Sequence, residues 1–393
     1  MSVRVHLDNP HQFYTNLDFI SGKIILNLTT DETISAIVVK LEGESKTILI
    51  KPPPDYGRDA PRTRDERNRI AMESHKILYK IQTVFPPVSS PTVANQQSFT
   101  LRAGHHEYPF RFKIPFNNMC GDADMQNIGV GIGGRLGLID LPANVPHVHK
   151  ALPPSLSGFP GEAEIRYYVK VTVQRPSIWK ENRRSAIGFK FMPIEPPRPP
   201  PTQAESFARR SHTFKPSMYQ PQKKGLFGRT PQPVTSNPFS VLVDARLPSP
   251  TILVCRTPLP LRLLIKKQTD SPEQIFLRGL EVDLIGTTHV RAQQVVRDEQ
   301  SLFPVLNLHG LAIPVGEPAD PAGSEAVVNS SLWDRVPLPP TVTPSFATCN
   351  LSRTYHLDLR VIIGYGSVGN INVSHPLVCC TDKINHHISH RPK

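Results

Sequence analysis

The chain lacks any apolar run near the ~20 residues that a spanning helix needs. Its opening, Met1-Ser2-Val3-Arg4-Val5-His6-Leu7-Asp8, has no apolar core of a signal peptide. Cysteine is scarce: Cys120, Cys255, Cys349, Cys379 and Cys380, odd in number and without Cys-x-x-Cys spacing. That pattern argues against a disulfide framework and against a zinc site, and it fits a reducing, cytoplasmic setting. The sequons at Asn27, Asn329, Asn350 and Asn372 are read as chance. No stretch reads as a long amphipathic helix.

Signals for chemistry are thin as well. There is no Gly-x-Ser-x-Gly elbow, no Cys–His pairing legible in the sequence and no carboxylate pair in an evident cleft. Gly129-Val130-Gly131-Ile132-Gly133-Gly134 satisfies a dinucleotide spacing. However, Asp122 to Asn127 before it do not form a strand pattern, and Pro142 follows too soon for a helix. A Gly-rich insert is expected there. His386, His387 and His390 cluster without cysteine or carboxylate partners, so no metal site is expected. No cofactor and no catalytic residue is assigned, and the chain is expected not to be an enzyme.

What the sequence has is proline, 42 residues against 23 glycines. Proline blocks helix interiors and central strands, so this abundance points to loops and edges around short strands. The 393 residues suffice for two or three domains at roughly 100–200 residues each. The ordered parts alternate with period two, as half-buried strands do. Tyr108, Phe110, Phe112 and Ile114 share one face, and Ala163, Ile165, Tyr167, Val169, Val171 and Val173 another. Residues 23–28 and 34–41 read as two strands with a turn at Asp31-Glu32. In the second half Phe239, Val241 and Val243 alternate, as do Leu259 to Ile265, Leu280 to Leu284 and Tyr355 to Val361. Strands without strand–helix alternation give an all-β fold. Two sets flanking one linker give two immunoglobulin-like β-sandwich domains.

The net charge of +12 is concentrated. Residues 175–230 hold twelve Lys/Arg against three Glu, a net of +9. Residues 191–236 read as a long Pro-rich basic linker. The expected organisation is therefore a domain over 1–190, the linker, a domain over 237–385 and a tail over 386–393. The basic segment is either a solvated stretch or one drawn to an anionic membrane surface, at about 1 kcal/mol per basic residue. Nucleic acid is not expected as a partner, because no aromatic stacking platform accompanies the charge. Ser211 and Thr213 follow Arg209-Arg210 and are candidate phosphorylation sites that would lower the local charge.

Several stretches resemble the arrestins. Leu101 to Pro115 resembles the N-domain turn leading into a Tyr-Pro-Phe-x-Phe strand. Phe19-Ile20-Ser21-Gly22 through Leu41-Glu42-Gly43 resembles the family's opening, and Tyr167 to Val171 with Arg175-Pro176 its closing strand. Pro344-Ser345-Phe346 and Asn350 to Leu357 are similar to the C-domain. The resemblance implies the arrestin fold and points to the fungal α-arrestin branch. Members of that branch are adaptors that bring HECT-type ubiquitin ligases to integral membrane transporters and receptors, in the cytoplasm at the plasma membrane and endosomes.

Such adaptors carry Pro-Pro-x-Tyr motifs read by WW domains. Pro53-Pro54-Asp55-Tyr56 is one, set within the N-terminal half rather than beyond the C-terminal domain. Consecutive prolines pre-set polyproline II, so little entropy is lost on docking, and Tyr56 fills a second pocket. The polar stretch from Asp55 to Arg69 suits an exposed loop. The other reading is a Pro-rich turn with Tyr56 packed on its own domain. A ligase-independent arrestin-fold scaffold or sorting-complex subunit stands as the second functional reading.

Overall fold

The computed structural model describes residues 1–8, 10–52, 69–87, 98–120, 147–159, 161–177, 179–194, 203–214, 238–366, 375–381 and 383–386. Among them there is no α-helix and no helix long and apolar enough to cross a membrane. The chain divides into two compact units.

The first unit comprises residues 1–194, 288–299 and 346–352. It contains β1 (Ser2–Leu7), β2 (Phe19–Leu28), β3 (Glu32–Ile34), β4 (Ala36–Ile50), β5 (Ile70–Phe85), β6 (Phe99–Leu101), β7 (Gly104–Lys113), β8 (Leu156–Phe159), β9 (Ala163–Gln174) and β10 (Arg183–Phe189). One sheet runs β1-β2-β7 and the larger β10-β9-β4-β5, with β8 beside β9. The period-two pattern decides which faces are buried. Ala163, Ile165, Tyr167, Val169, Val171 and Val173 of β9 are each at most 2% exposed. Ile24 and Leu26 of β2 and Phe110 and Phe112 of β7 enter the same core. Each such side chain contributes about 1.5–3 kcal/mol over an exposed one.

The expected strand over 34–41 is divided. Glu32 to Ile34 form β3 and pair with β6, whereas β4 pairs with β5 and β9. Glu32 thus lies in a strand rather than the turn. β4 and β2 stand in different sheets, so the turn between them links the two layers.

Gly43 shows why the opening pattern ends in glycine. It stands opposite Tyr167 at a register shift in β4. A Cβ there would meet the Tyr167 ring at 2.7 Å and Leu78 Cβ at 2.9 Å. Tyr167 is fixed in turn by its hydroxyl, which donates to the Pro153 carbonyl at 2.6 Å.

The second unit holds β11 (Glu205–Phe214), β12 (Phe239–Pro248), β13 (Ile252–Cys255), β14 (Arg262–Lys267), β15 (Ile275–Ala292), β16 (Val295–Leu308), β17 (Ile313–Val315), β18 (Glu325–Val327), β20 (Leu351–Tyr365), β21 (His375–Thr381) and β22 (Lys383–His386), apart from the residues already assigned to the first unit, to which β19 (Phe346–Ala347) belongs entirely. A four-stranded sheet runs β11-β12-β14-β18 and a six-stranded one contains β16-β15-β20-β19. Phe214, Phe239 and Tyr365 stack at its core, and the Trp333 indole donates to the Leu261 carbonyl at 3.1 Å.

The expected linker is corrected at its centre. Residues 205–214 are a strand that pairs along its whole length with β12. Ion pairs hold it there. Arg209 reaches Asp244 at 2.9 Å, and Glu205 accepts from Arg246 and Arg262. The charges of this strand are paired across the sheet, Arg209 with Asp244 of β12 and Glu205 with Arg246 of β12 and Arg262 of β14, a pairing no local pattern shows. The first boundary also shifts. Residues 288–299 and 346–352, distant in sequence, supply Val290, Ala292 and Leu351 to the first core.

Candidate functional site

The motif residues Pro53, Pro54 and Tyr56 lie outside the described residues. Their placement in the chain is nonetheless defined. They belong to the connection between β4 and β5, whose pairing ends at Ile50 opposite Ile70. The Lys51 N–H donates to the Arg69 carbonyl at 2.7 Å. Ile50, Ile70 and Val296 are more than half exposed around this hairpin end. They line an open depression with Ile48, Pro52 and Val295. The Arg297–Glu162 pair, at 2.5–2.9 Å, stands at its rim. A contiguous apolar patch with a charged rim is the composition of a protein-contact surface.

Ser211 and Thr213 are exposed on β11, opposite Leu242 and Ser240. Arg209 beside them is already committed to Asp244, so part of the basic charge is neutralised. Backbone pairing also defines edges. Among the described residues β1 and β7 bound the smaller sheet of the first unit, and β10 and β5 the larger path. Strand edges offer unpaired N–H and C=O groups to an extended peptide.

The structure assembles one group that the sequence reading missed. His75, Cys120, His147 and Cys349 place their donor atoms within 4.8 Å of one another. The expectation of no metal site considered only the C-terminal histidines and the sequence spacing of the cysteines; this group has residue types and a spacing in space that could hold an ion. Spacing in sequence hid it, because the four come from four separate segments. His75 and Glu73 share the buried face of β5. Met119 N–H donates to the Ile77 carbonyl at 2.8 Å and ties the segment carrying Cys120 to that strand. Asn118 donates through Nδ2 to the Val148 carbonyl at 2.7 Å and through its backbone N–H to Lys150, which places His147. Arg291 donates to the Cys349 carbonyl at 2.5 Å, and Asn350 is locked onto Ser45 and Thr47 of β4. Asn350, 1% exposed, cannot serve as a glycan acceptor in the fold.

The electrostatics are those of a buried thiolate pocket. The hydrogen bond from Cys120 holds the Cys349 thiol far below its ordinary range against the opposing effect of burial, with His75, the Val148 N–H and His147 adding to it. Burial works against the His75 imidazolium, but Cys349 and Glu73 together raise it to about 9.

Comparison with known proteins places the first unit. The family described as Arrestin (or S-antigen), N-terminal domain, matches residues 3–121. Residues 3–121 are arrestin-like. The chain is 27% identical over 138 residues to "Arrestin-related trafficking adapter 10" of Lachancea thermotolerans, covering 34% of this chain and 32% of that protein. It is 30% identical over 127 residues to the protein of the same name from Candida glabrata, covering 30% of this chain and 24% of that protein. The alignments thus span about a third and a quarter of these relatives' length. The match to an arrestin domain fits the nearly all-β sheets and the strand placements above: the Tyr-Pro-Phe-x-Phe stretch is β7, the closing strand is β9, and the Ser-Gly opening is β2. Both of these relatives carry the name of trafficking adapters.

Proposed function

We propose that this arrestin-like protein is a non-catalytic trafficking adaptor. It recruits a WW-domain HECT-type ubiquitin ligase to integral membrane transporters or receptors for ubiquitination and endocytosis. The observation that carries the reading is a Pro-Pro-x-Tyr motif in the β4–β5 connection of a domain similar to trafficking adapters. Polyproline II pre-organisation explains why so short a motif suffices. The apolar patch at the base of that connection and the edges of β1, β7 and β10 are candidate cargo surfaces. The proposed setting is cytoplasmic, peripheral to the plasma membrane and endosomes. Trp179, 91% exposed at the β9–β10 turn next to Lys180, supports contact with an anionic membrane surface. Phosphorylation of Ser211 or Thr213 would oppose that attraction by adding charge of the same sign as the lipid headgroups.

The test is a pull-down of the full chain with WW domains, comparing wild type with Tyr56→Ala. Loss of the ring should weaken binding at least tenfold, the scale of an anchoring aromatic. Equal binding by both would remove the motif. The reading as a ligase-independent scaffold would then stand, favoured by the sheet edges and by any partner that co-purifies regardless of Tyr56.

A further inference from the structure

We infer that His75, Cys120, His147 and Cys349 form a structural zinc site within the first unit. The geometry points to it. A zinc ion with bonds of about 2.3 Å to sulfur and about 2.0–2.1 Å to nitrogen sets tetrahedral ligand atoms about 3.3–3.8 Å apart. Cys120 Sγ lies 3.6 Å from Cys349 Sγ, 3.5 Å from His75 Nδ1 and 3.3 Å from His147 Nδ1. Cys349 Sγ lies 3.7 Å from His147 Nδ1. Four of the six edges of a tetrahedron therefore fall in or at that range, and the other two are no longer than 4.8 Å.

The neighbouring groups fit as well. His75 Nε2 is 2.7 Å from Glu73 Oε1. Glu73 also accepts from Arg291 at 2.8 Å and from the Gln293 N–H at 2.7 Å. These donors keep the carboxylate ionised, so it accepts from His75 Nε2–H; the ring would release its Nδ1 proton when the ion binds, and that nitrogen, 3.5 Å from Cys120 Sγ, would then be the ligand atom. A carboxylate–histidine pair of this kind orients a metal-bound imidazole. The Val148 N–H donates to Cys349 Sγ at 3.4 Å, as an amide does to a bound thiolate. Two thiolates balance the charge of a divalent ion, and the protons leave to solvent when the ion binds.

Two other arrangements account for less. A disulfide needs about 2.05 Å between sulfurs, and those of Cys120 and Cys349 stand 3.6 Å apart. A Cys–His hydrogen bond explains one contact, but not two imidazoles turned to the same sulfur with a second sulfur beside them. Two sulfurs and two imidazoles in a tetrahedron select zinc over hard cations. Four protein donors leave no open position, so the role is structural rather than catalytic. The ion would tie β5, the segment after β7, the segment before Ala151 and residues 346–352 at one point. Cys120 and His147 flank residues 121–146, so it would also close the base of the Gly-rich insert.

The test is the metal content of the full chain, purified without an affinity tag under reducing, chelator-free conditions. The expected result is about one zinc per chain. Replacement with cobalt(II) should give a thiolate-to-cobalt charge-transfer band and the strong visible bands of a tetrahedral centre. Cys120→Ser and Cys349→Ser should each abolish both. A His386→Ala, His387→Ala, His390→Ala variant should keep them, which separates the site from the C-terminal histidines. Folded, reduced wild type with under about a tenth of an equivalent of zinc and no cobalt spectrum would overturn the site. So would a Cys120–Cys349 disulfide in that preparation, or full zinc in the double serine variant. Should the serine variants fold poorly, wild-type metal content and the cobalt spectrum decide alone. None of these readouts involves the ligase motif.

Discussion

Cys255 and Cys349 are the same residue in opposite settings. Cys255 ends β13 inside the second core, 1% exposed, among aliphatic and aromatic side chains. Burial pushes its thiol up to about 11, and the thiol donates weakly to the Val342 carbonyl at 3.9 Å. It behaves as a small hydrophobe. Cys349 is half-buried, and a second thiol, two imidazoles and an amide N–H surround it. There the hydrogen bonds outweigh burial, and the thiol is driven down instead. Burial alone therefore does not decide what a cysteine does; the polar groups that share the burial decide it.

The largest expected break in this comparison comes from metal removal. Stripping the reduced chain with a chelator should leave amides around Cys255 as protected as before. Amides of β5 near His75, of residues 116–120 and of residues 346–352 should exchange faster by a factor of about a thousand. That corresponds to the loss of more than about 4 kcal/mol typical of a lost structural metal. Hydrogen exchange followed by mass spectrometry reads both regions in one experiment. Unchanged exchange around His75 would mean that the two cysteines differ in chemistry but not in structural role.

The contrast also separates what could be read from the sequence from what could not. Strand faces were legible because side chains alternate with period two: β9 buries the residues expected from Ala163–Val173, and β7 buries Phe110 and Phe112 and half-buries Tyr108, with Ile114 buried just beyond its end. Gly43 was legible as part of a resemblance, and its reason, the Tyr167 ring opposite, emerged only in three dimensions. The strand at 205–214 was hidden because its ion pairs are made across the sheet, Arg209 with Asp244 and Glu205 with Arg246 and Arg262. The His–Cys cluster was hidden for a similar reason. Ligand-spacing rules work when two donors share a turn, and here each of the four arrives on a different segment. Glu73 and His75, two apart on one strand face, were the single local signal, and it is too common to select.

A finer test leaves the ligands in place and changes their support. Glu73→Gln keeps an acceptor for His75 but removes the charge that also meets Arg291. Outer-shell changes of this kind typically weaken metal binding 10- to 100-fold. Competition with a chromophoric zinc chelator measures it. Cys255→Ala, in the other setting, should leave that affinity alone. An unchanged affinity in Glu73→Gln would reduce Glu73 to packing and leave His75 to be oriented by the sulfurs alone.

Cys255→Ala gives the smallest expected effect and sharpens the comparison from its other side. The change removes one sulfur from a filled core, loses no strong hydrogen bond and puts no strain on a β-strand backbone. The cost is lost apolar burial plus a cavity too small for water, about 1 kcal/mol. Urea unfolding should show a lower midpoint with an unchanged slope. Metal content and the cobalt spectrum should match wild type, since Cys255 belongs to the second unit and the four donors to the first. A variant that lost metal would show that the second core supports the cluster, and the two cysteines could no longer be treated as independent.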